Sequence, residues 1–368
     1  MSGPRILMAG GGTAGHLFPC LAVAEEIASA TPGAEVRYVG ARGRIDERLL
    51  AERGLPHDLI SARPLPYRLS AEAIAGAFAL VRAVRQSRAI IRRFRPDVIF
   101  TTGGNVGAAA GIAARFARVP LVLHAADAQP DRGNRLISRW ASAITCGYAE
   151  AANVFGETAA VTGNPIRREV AEATREDGIR ELGLDPALPT MVVTGGSQGA
   201  RRLNMAVIEA LPALLEDPGV QVVHLSGALD YGHLLAAAER AGAPSTYHLI
   251  EHLPNAGLAL AAADLVVTRA GAGSLAEICL HGAPMIVVPY PFAGGHQRLN
   301  AEPLQEMGAA AIVEDERFDA ERLIGLAREI LDDEQRRQQM REAALSAARP
   351  RAAAEVAKVV LAAATDRG

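Results

Sequence analysis

The chain has 368 residues, 49 % hydrophobic and 21 % charged, and its 38 basic and 41 acidic side chains leave a formal net charge of −3. That length favours two domains over a single core, the charge gives no general pull toward nucleic acid, and aromatics at 4 % leave the cores to Ala, Val, Leu and Ile. Cys20, Cys146 and Cys279 form no CxxC pair, which argues against a disulfide framework or a zinc site and suits a reducing cytoplasm. Arg5 runs directly into a strand, so no signal peptide is expected, and no run of about 18 uncharged apolar residues offers a membrane span.

Arg5 to Ala9 reads as a first buried strand, followed by the glycine loop Gly10 to His16, Pro19, and a helical pattern from Leu21 to Ala28. Strand, glycine turn and helix is the context that gives such a loop meaning. The next strand, Val36 to Gly40, is followed by Ala41-Arg42-Gly43-Arg44 with no acidic residue at its end, which disfavours a dinucleotide-binding dehydrogenase. His16 lies where the loop becomes a helix. The positive helix end keeps a neutral imidazole available as a base; equally, the ring could simply hydrogen-bond the loop backbone.

Leu69 to Phe94 is helical, with Ile74, Phe78 and Val81 on one side and Arg82, Arg85, Arg88, Arg92 and Arg93 after them. Such a helix can rest on an anionic membrane surface, or cover a sheet with a solvated basic face. Asp97 to Phe100 is a strand that enters a second glycine loop, Thr102 to Gly107, and Leu121 to His124 is another that ends in a polar loop. Gly163-Asn164-Pro165 has the composition of a hinge. Beyond it the pattern begins again: the strand Met191 to Thr194, the loop Gly195 to Ala200, a helix through Asn204 to Leu215, then strands at Val222 to Ser226 and His248 to Leu253. The two halves therefore read as similar doubly wound α/β folds.

The stretch from Asp264 to Asn300 organises the second half. A buried strand at Leu265 to Val267 opens through Arg269 to Ser274 into a helix that Gly282 ends, and a further strand (Met285 to Val288) and loop lead to His296-Gln297. Such a unit binds a phosphorylated ligand beyond the carboxyl ends of its strands. Ser274 and Glu277, three residues apart, also fit a capping box with no role beyond starting the helix. Ala343 to Ala364 reads as an alanine-rich helical tail containing Pro350.

Taken together, GGGTAGHLFPCLAVAEEI, GGNVG, VTGNPIR, VTGGSQGARRLN, AGAGSLAEICLHGAP and HQRLNA resemble, in order and spacing, the MurG family. These transferases add N-acetylglucosamine to the lipid-linked muramyl-peptide of bacterial peptidoglycan, and the resemblance runs from Arg5 to about Ile330. It implies a GT-B fold, two Rossmann-like domains facing across a cleft. Residues 1–163, with a C-terminal helix at about 345–368, would take the acceptor, and residues 164–344 would take UDP-N-acetylglucosamine. Carried over by position, Glu277 would bind the ribose, Leu253 would flank the uracil, and Ser197 with Ala272, Gly273 and Ser274 would meet the diphosphate. His296 and Gln297 would address the sugar. Arg167, Asp127 and the loop residues Thr13, Ala14 and Gly15 also fall on donor-side positions. His16 would be the general base, and Gly104, Asn105 and His124 would lie on the acceptor side.

The helix near Phe78, Arg85 and Arg88 falls on the family's membrane-associating patch, so peripheral attachment at the cytoplasmic face of the plasma membrane is expected. No carboxylate pair is suited to holding a metal, so no obligatory metal or other cofactor is expected beside the donor. The departures cluster on the acceptor side. His124-Ala125-Ala126-Asp127 stands where the family reads HEQN, Asn105 and Gly107 stand for a Tyr and a Ser, and Ala14 for a glycine. They leave room for a paralogue with the same donor and another acceptor, or for a non-catalytic nucleotide-sugar-binding protein.

Overall fold

Thirteen strands among the described residues build two parallel sheets, one in each of two units. The computed structural model describes residues 3–63, 71–196, 199–215, 219–240, 242–291 and 296–365, without the side chains of 71–75 and 215. Ser197, the Leu69 start of the basic helix and the side chain of Ile74 lie outside that range. Unit 1 comprises Met1–Arg167 with Arg351–Gly368, and unit 2 comprises Arg168–Pro350.

Unit 1 contains β1 (Arg5–Gly10), β2 (Glu35–Ala41), β3 (His57–Ile60), β4 (Val98–Gly103), β5 (Leu121–Ala125), β6 (Ala143–Cys146) and β7 (Ala159–Val161), in the order β3-β2-β1-β4-β5-β6-β7. Unit 2 contains β8 (Thr190–Thr194), β9 (Gln221–Leu225), β10 (Tyr247–Ile250), β11 (Leu265–Thr268), β12 (Met285–Val287) and β13 (Ala310–Ile312), in the order β10-β9-β8-β11-β12-β13. Both sheets are covered on both faces, so their strands are continuous apolar runs whose side chains alternate between two cores. In β1, Leu7 and Ala9 enter one core while Ile6 and Met8 enter the other. In β8, Met191 and Val193 face one core and Val192 the other.

In each unit the strand order reverses once, between β1 and β4 and between β8 and β11. Adjacent crossovers leave in opposite directions at such a point, and their loops part there at the carboxyl edge. The first glycine loop and the Thr102–Asn105 loop flank the reversal in unit 1. Gly195-Gly196 and Arg269–Gly271 flank the one in unit 2.

Two expectations are revised. The first helix starts at Ala14, not Leu21, and runs to Ala30 with Pro19 inside it. Pro19 forfeits only the bond to the carbonyl of Gly15, an exposed residue whose oxygen water can serve. The C-terminal tail is two helices, Glu334–Ala347 and Ala352–Thr365, separated at Pro350. The first stays with unit 2. The second returns to unit 1 and packs on Ala14–Ala30, with Val356, Ala357 and Val360 buried beside Ile6, Met8 and Leu17. Val360→Ala is therefore expected to cost unit 1 roughly 2 kcal/mol in denaturant unfolding, the scale of a lost buried pair of methyls; no measurable change would mean that the helix does not share that core.

Candidate active site

At the unit 1 reversal, β1 ends in Gly10-Gly11-Gly12-Thr13, and the helix Ala14–Ala30 presents His16 in its first turn. The ring is tied to the neighbouring loop: His16 Nδ1 lies 3.1 Å from the Thr102 carbonyl oxygen, and Thr102 Oγ1 donates to the His16 carbonyl at 2.7 Å. A carbonyl only accepts, so Nδ1 carries the hydrogen and the lone pair of the neutral ring sits on Nε2. Gly103 and Gly104 have φ of 87° and 65°, and a Cβ on Gly104 would come within 2.9 Å of His16 Nε2. Only glycine lets this backbone approach the base so closely. Gly107 is fixed in the same way, since a Cβ there would meet Thr101 Oγ1 at 2.2 Å. Thr13 and Gly15 are exposed, Ala14 is buried, and Asn105 is half-buried.

His124 is not open to a ligand. It is fully buried in β5 on the same face as Val122, with Nδ1 3.0 Å from Thr145 Oγ1 and Nε2 3.1 Å from Asn164 Oδ1. Asn164 Nδ2 donates in turn to the Ala126 carbonyl. The acceptor-side expectation for His124 is thus corrected: it bolts the end of β5 to the Gly163–Pro165 segment. Arg167 is buried, with its guanidinium 4.0 Å from the centre of the Phe18 ring in the helix that carries His16. Asp127 is half-buried in the loop after β5.

In unit 2 the helix Ala272–His281 starts at Gly271, without a side-chain cap and with no acidic residue in its first turn. Ser274 and Glu277 both lie inside the helix, so the capping-box reading falls. Both are half-buried, and a Cβ on Gly273 would meet nothing within 4 Å. Leu253, just beyond β10, rests partly buried on the core. His296 and Gln297 open the helix His296–Glu306. Gln297 Oε1 accepts from the Ala270 amide at 3.1 Å and the Tyr290 amide at 2.9 Å, so these two bonds engage the acceptor end of the side chain and not its Nε2 donors.

Three residues that the sequence reading passed over hold this loop. Arg269 pairs with Asp315 at 2.6 Å and donates to the Val288 carbonyl, both side chains being largely buried. Asn300 is buried and donates to the Ala270 carbonyl. Asn300 stood in the HQRLNA segment and Arg269 at the head of AGAG, but their partners lie 30 and 46 positions away in the chain, respectively. A similar brace holds the start of the helix Arg201–Leu215, where Asn204 bonds Ser226, Asp230 and His224.

Elsewhere on unit 1, Phe78 is 73 % and Val81 49 % exposed on the helix Ala71–Phe94. With Arg82, Arg85, Gln86 and Ala89 they line a groove of about 500 Å³. Phe116 is exposed alongside, 5.5 Å from the Arg88 guanidinium. Among the described residues no helix is long and apolar enough to cross a membrane, and no group of three His, Cys, Asp or Glu is placed to hold a metal ion. Burial pushes the Cys20, Cys146 and Cys279 thiols up to about 12, so none is a nucleophile.

Two doubly wound units with loops at their reversals, one presenting a free imidazole nitrogen and the other an uncapped helix start, define a GT-B glycosyltransferase. Residues 6–146 match the glycosyltransferase family 28 N-terminal domain and residues 190–356 the family 28 C-terminal domain. The chain is 38 % identical to the UDP-N-acetylglucosamine--N-acetylmuramyl-(pentapeptide) pyrophosphoryl-undecaprenol N-acetylglucosamine transferase of Corynebacterium diphtheriae, over 98 % of this chain and 97 % of that one. It is 35 % identical to the enzyme of the same name from Halothermothrix orenii, over 94 % and 95 %. The crystal structure of Acinetobacter baumannii MurG superposes with a TM-score of 0.71 at 25 % identity, covering 98 % of this chain and 99 % of that one. The chain belongs to the MurG family.

Burial lowers both His124 and His224 to about 4, so each is held neutral in the fold. A depressed histidine contributes stability above its ordinary value of 6.5 and loses it as the pH falls toward 4. Unfolding free energy is expected to decline over that window by roughly 1.4 kcal/mol per pH unit for each histidine, and the unit 1 part of the slope should vanish in His124→Asn. A slope unchanged by that substitution would show His124 to be solvated.

Proposed function

We propose that this protein is an inverting glycosyltransferase that moves N-acetylglucosamine from UDP-N-acetylglucosamine to the undecaprenyl-diphosphate-linked muramyl-pentapeptide of peptidoglycan synthesis. The observation that carries the mechanism is His16, whose Nδ1–H is committed to Thr102 while Nε2 keeps its lone pair at the unit 1 reversal. Nε2 takes the proton of the acceptor hydroxyl. The oxygen forms its bond to the anomeric carbon as the bond to UDP breaks on the opposite face, and that electron pair leaves with the diphosphate.

Unit 2 holds the donor. The start of the helix Ala272–His281, with Gly273 and Ser274, stabilises the charge growing on the diphosphate. Glu277 on the same helix takes the ribose hydroxyls, Leu253 the uracil, and His296 with the Gln297 Nε2 donors the sugar. Ser197, Arg167, Asp127 and the loop Thr13–Gly15 complete the donor contacts, and Gly104 and Asn105 lie on the acceptor side. No obligatory metal takes part in the chemical step.

The lipid-linked acceptor has to be met at a membrane. The exposed Phe78 and Val81, bordered by Arg82, Arg85 and Arg88, support peripheral binding to anionic lipid at the cytoplasmic face of the bacterial plasma membrane.

Labelled UDP-N-acetylglucosamine and the lipid-linked acceptor should give transfer that persists in chelator, and His16→Ala should lower kcat by about two to four powers of ten with UDP affinity unchanged. Near-normal turnover in that variant removes the base assignment. Joint replacement of Arg85, Arg88 and Arg92 by Gln should weaken binding to anionic vesicles about a hundredfold, at about 1 kcal/mol for each arginine. Unaltered sedimentation with vesicles would leave this helix as a solvated face.

A further inference from the structure

Two of the loops at the strand reversals, the one after β11 and the one after β1, are built in opposite ways. In unit 2 the helix after β11 begins without a capping side chain, without an acid in its first turn, and with open space beside Gly273. In unit 1 the anion position beside the amide of the first glycine loop, after β1, is already filled from within. Asp46, in the first turn of the helix Ile45–Glu52, is fully buried, and its Oδ2 accepts the Gly12 amide at 2.6 Å and the Ala41 amide at 2.7 Å. A Cβ on Gly11 would lie 2.3 Å from that oxygen, and one on Gly40 would lie 2.9 Å from Asp46 Cβ. These two glycines make room for a carboxylate belonging to the chain. Asp46 Oδ1 is buried as well and has no hydrogen-bond partner, so the negative charge is only partly compensated. It adds to the burial that pushes the Cys20 thiol up.

A loop amide that holds a carboxylate cannot hold a phosphate, and a second anion brought beside a buried, incompletely compensated charge is repelled. We propose that Asp46 is a specificity-determining residue that closes the unit 1 glycine loop to phosphate. Its charge keeps the diphosphates of both the nucleotide and the lipid-linked acceptor off Gly12, so that a neutral hydroxyl is what reaches His16. Asp46 touches neither substrate; it acts through the loop. The inference rests on the reading that unit 2 takes the nucleotide.

The test uses inorganic pyrophosphate as the probe, titrated into the full chain saturated with UDP. Asp46→Asn, which preserves volume and removes charge, is expected to bind pyrophosphate at least about tenfold more tightly than the wild type, a shift of about 1.4 kcal/mol, with UDP affinity unaltered. In transfer assays the same variant should become correspondingly more sensitive to pyrophosphate competing with the acceptor. In the wild type, the Gly12 amide resonance should not move on adding pyrophosphate. A UDP-competent Asp46→Asn with no gain in pyrophosphate affinity overturns the proposal, as does a Gly12 amide that shifts in the wild type, an observation that needs no variant to fold. Failure of the wild type to bind UDP would instead overturn the assignment of unit 2, and this inference with it.

Discussion

Parallel strands all end at one edge, and that edge is where the chemistry of this protein has to be built. Because β1 and β4, and β8 and β11, send their crossovers in opposite directions, the loops after them part and leave backbone exposed at the carboxyl ends. Everything near the proposed site follows from filling those two gaps. Gly104 brings backbone against His16, the Thr102 carbonyl sets its tautomer, and Arg269, Asn300 and Gln297 tie down the loop before the helix Ala272–His281.

The inward-facing polar groups show how this rigidity arises. His124 and His224 each spend both ring nitrogens on neighbouring side chains, joining a strand end to an asparagine of a motif: Asn164 in one unit, Asn204 in the other. A fully satisfied buried network fixes one arrangement and disfavours its neighbours. The two units thus repeat a fold and also a way of anchoring it, with residues at unrelated positions in the chain.

Much of the architecture was legible in the sequence because buried parallel strands are short, continuous apolar runs between glycine turns. β1, β4, β5, β8, β11 and β12 stand out for that reason. β3 (HDLI) and β13 (AAI) were not, because one opens on two polar residues and the other on two alanines that suit a helix equally well. The site was half legible. Loop glycines, His16 and Glu277 belong to motifs, but a motif does not reveal which way a strand residue points, and His124 proved to face inward. Asp46 was invisible in principle, since its partners are backbone amides that any residue could supply; the absence of an acid at the end of β2 was real, and the acid sits five residues later.

The return of the helix Ala352–Thr365 to unit 1 has a consequence for the birth of the protein. Unit 2 is one continuous stretch, whereas the core that holds Ile6, Met8 and Leu17 is closed by Val356 and Val360. The part of the chain that leaves the ribosome first is therefore the last to be finished. Until residues 352–365 have been made, the helix that carries His16 keeps an apolar flank uncovered, and a chain stopped short of residue 352 would lack the residues that cover it.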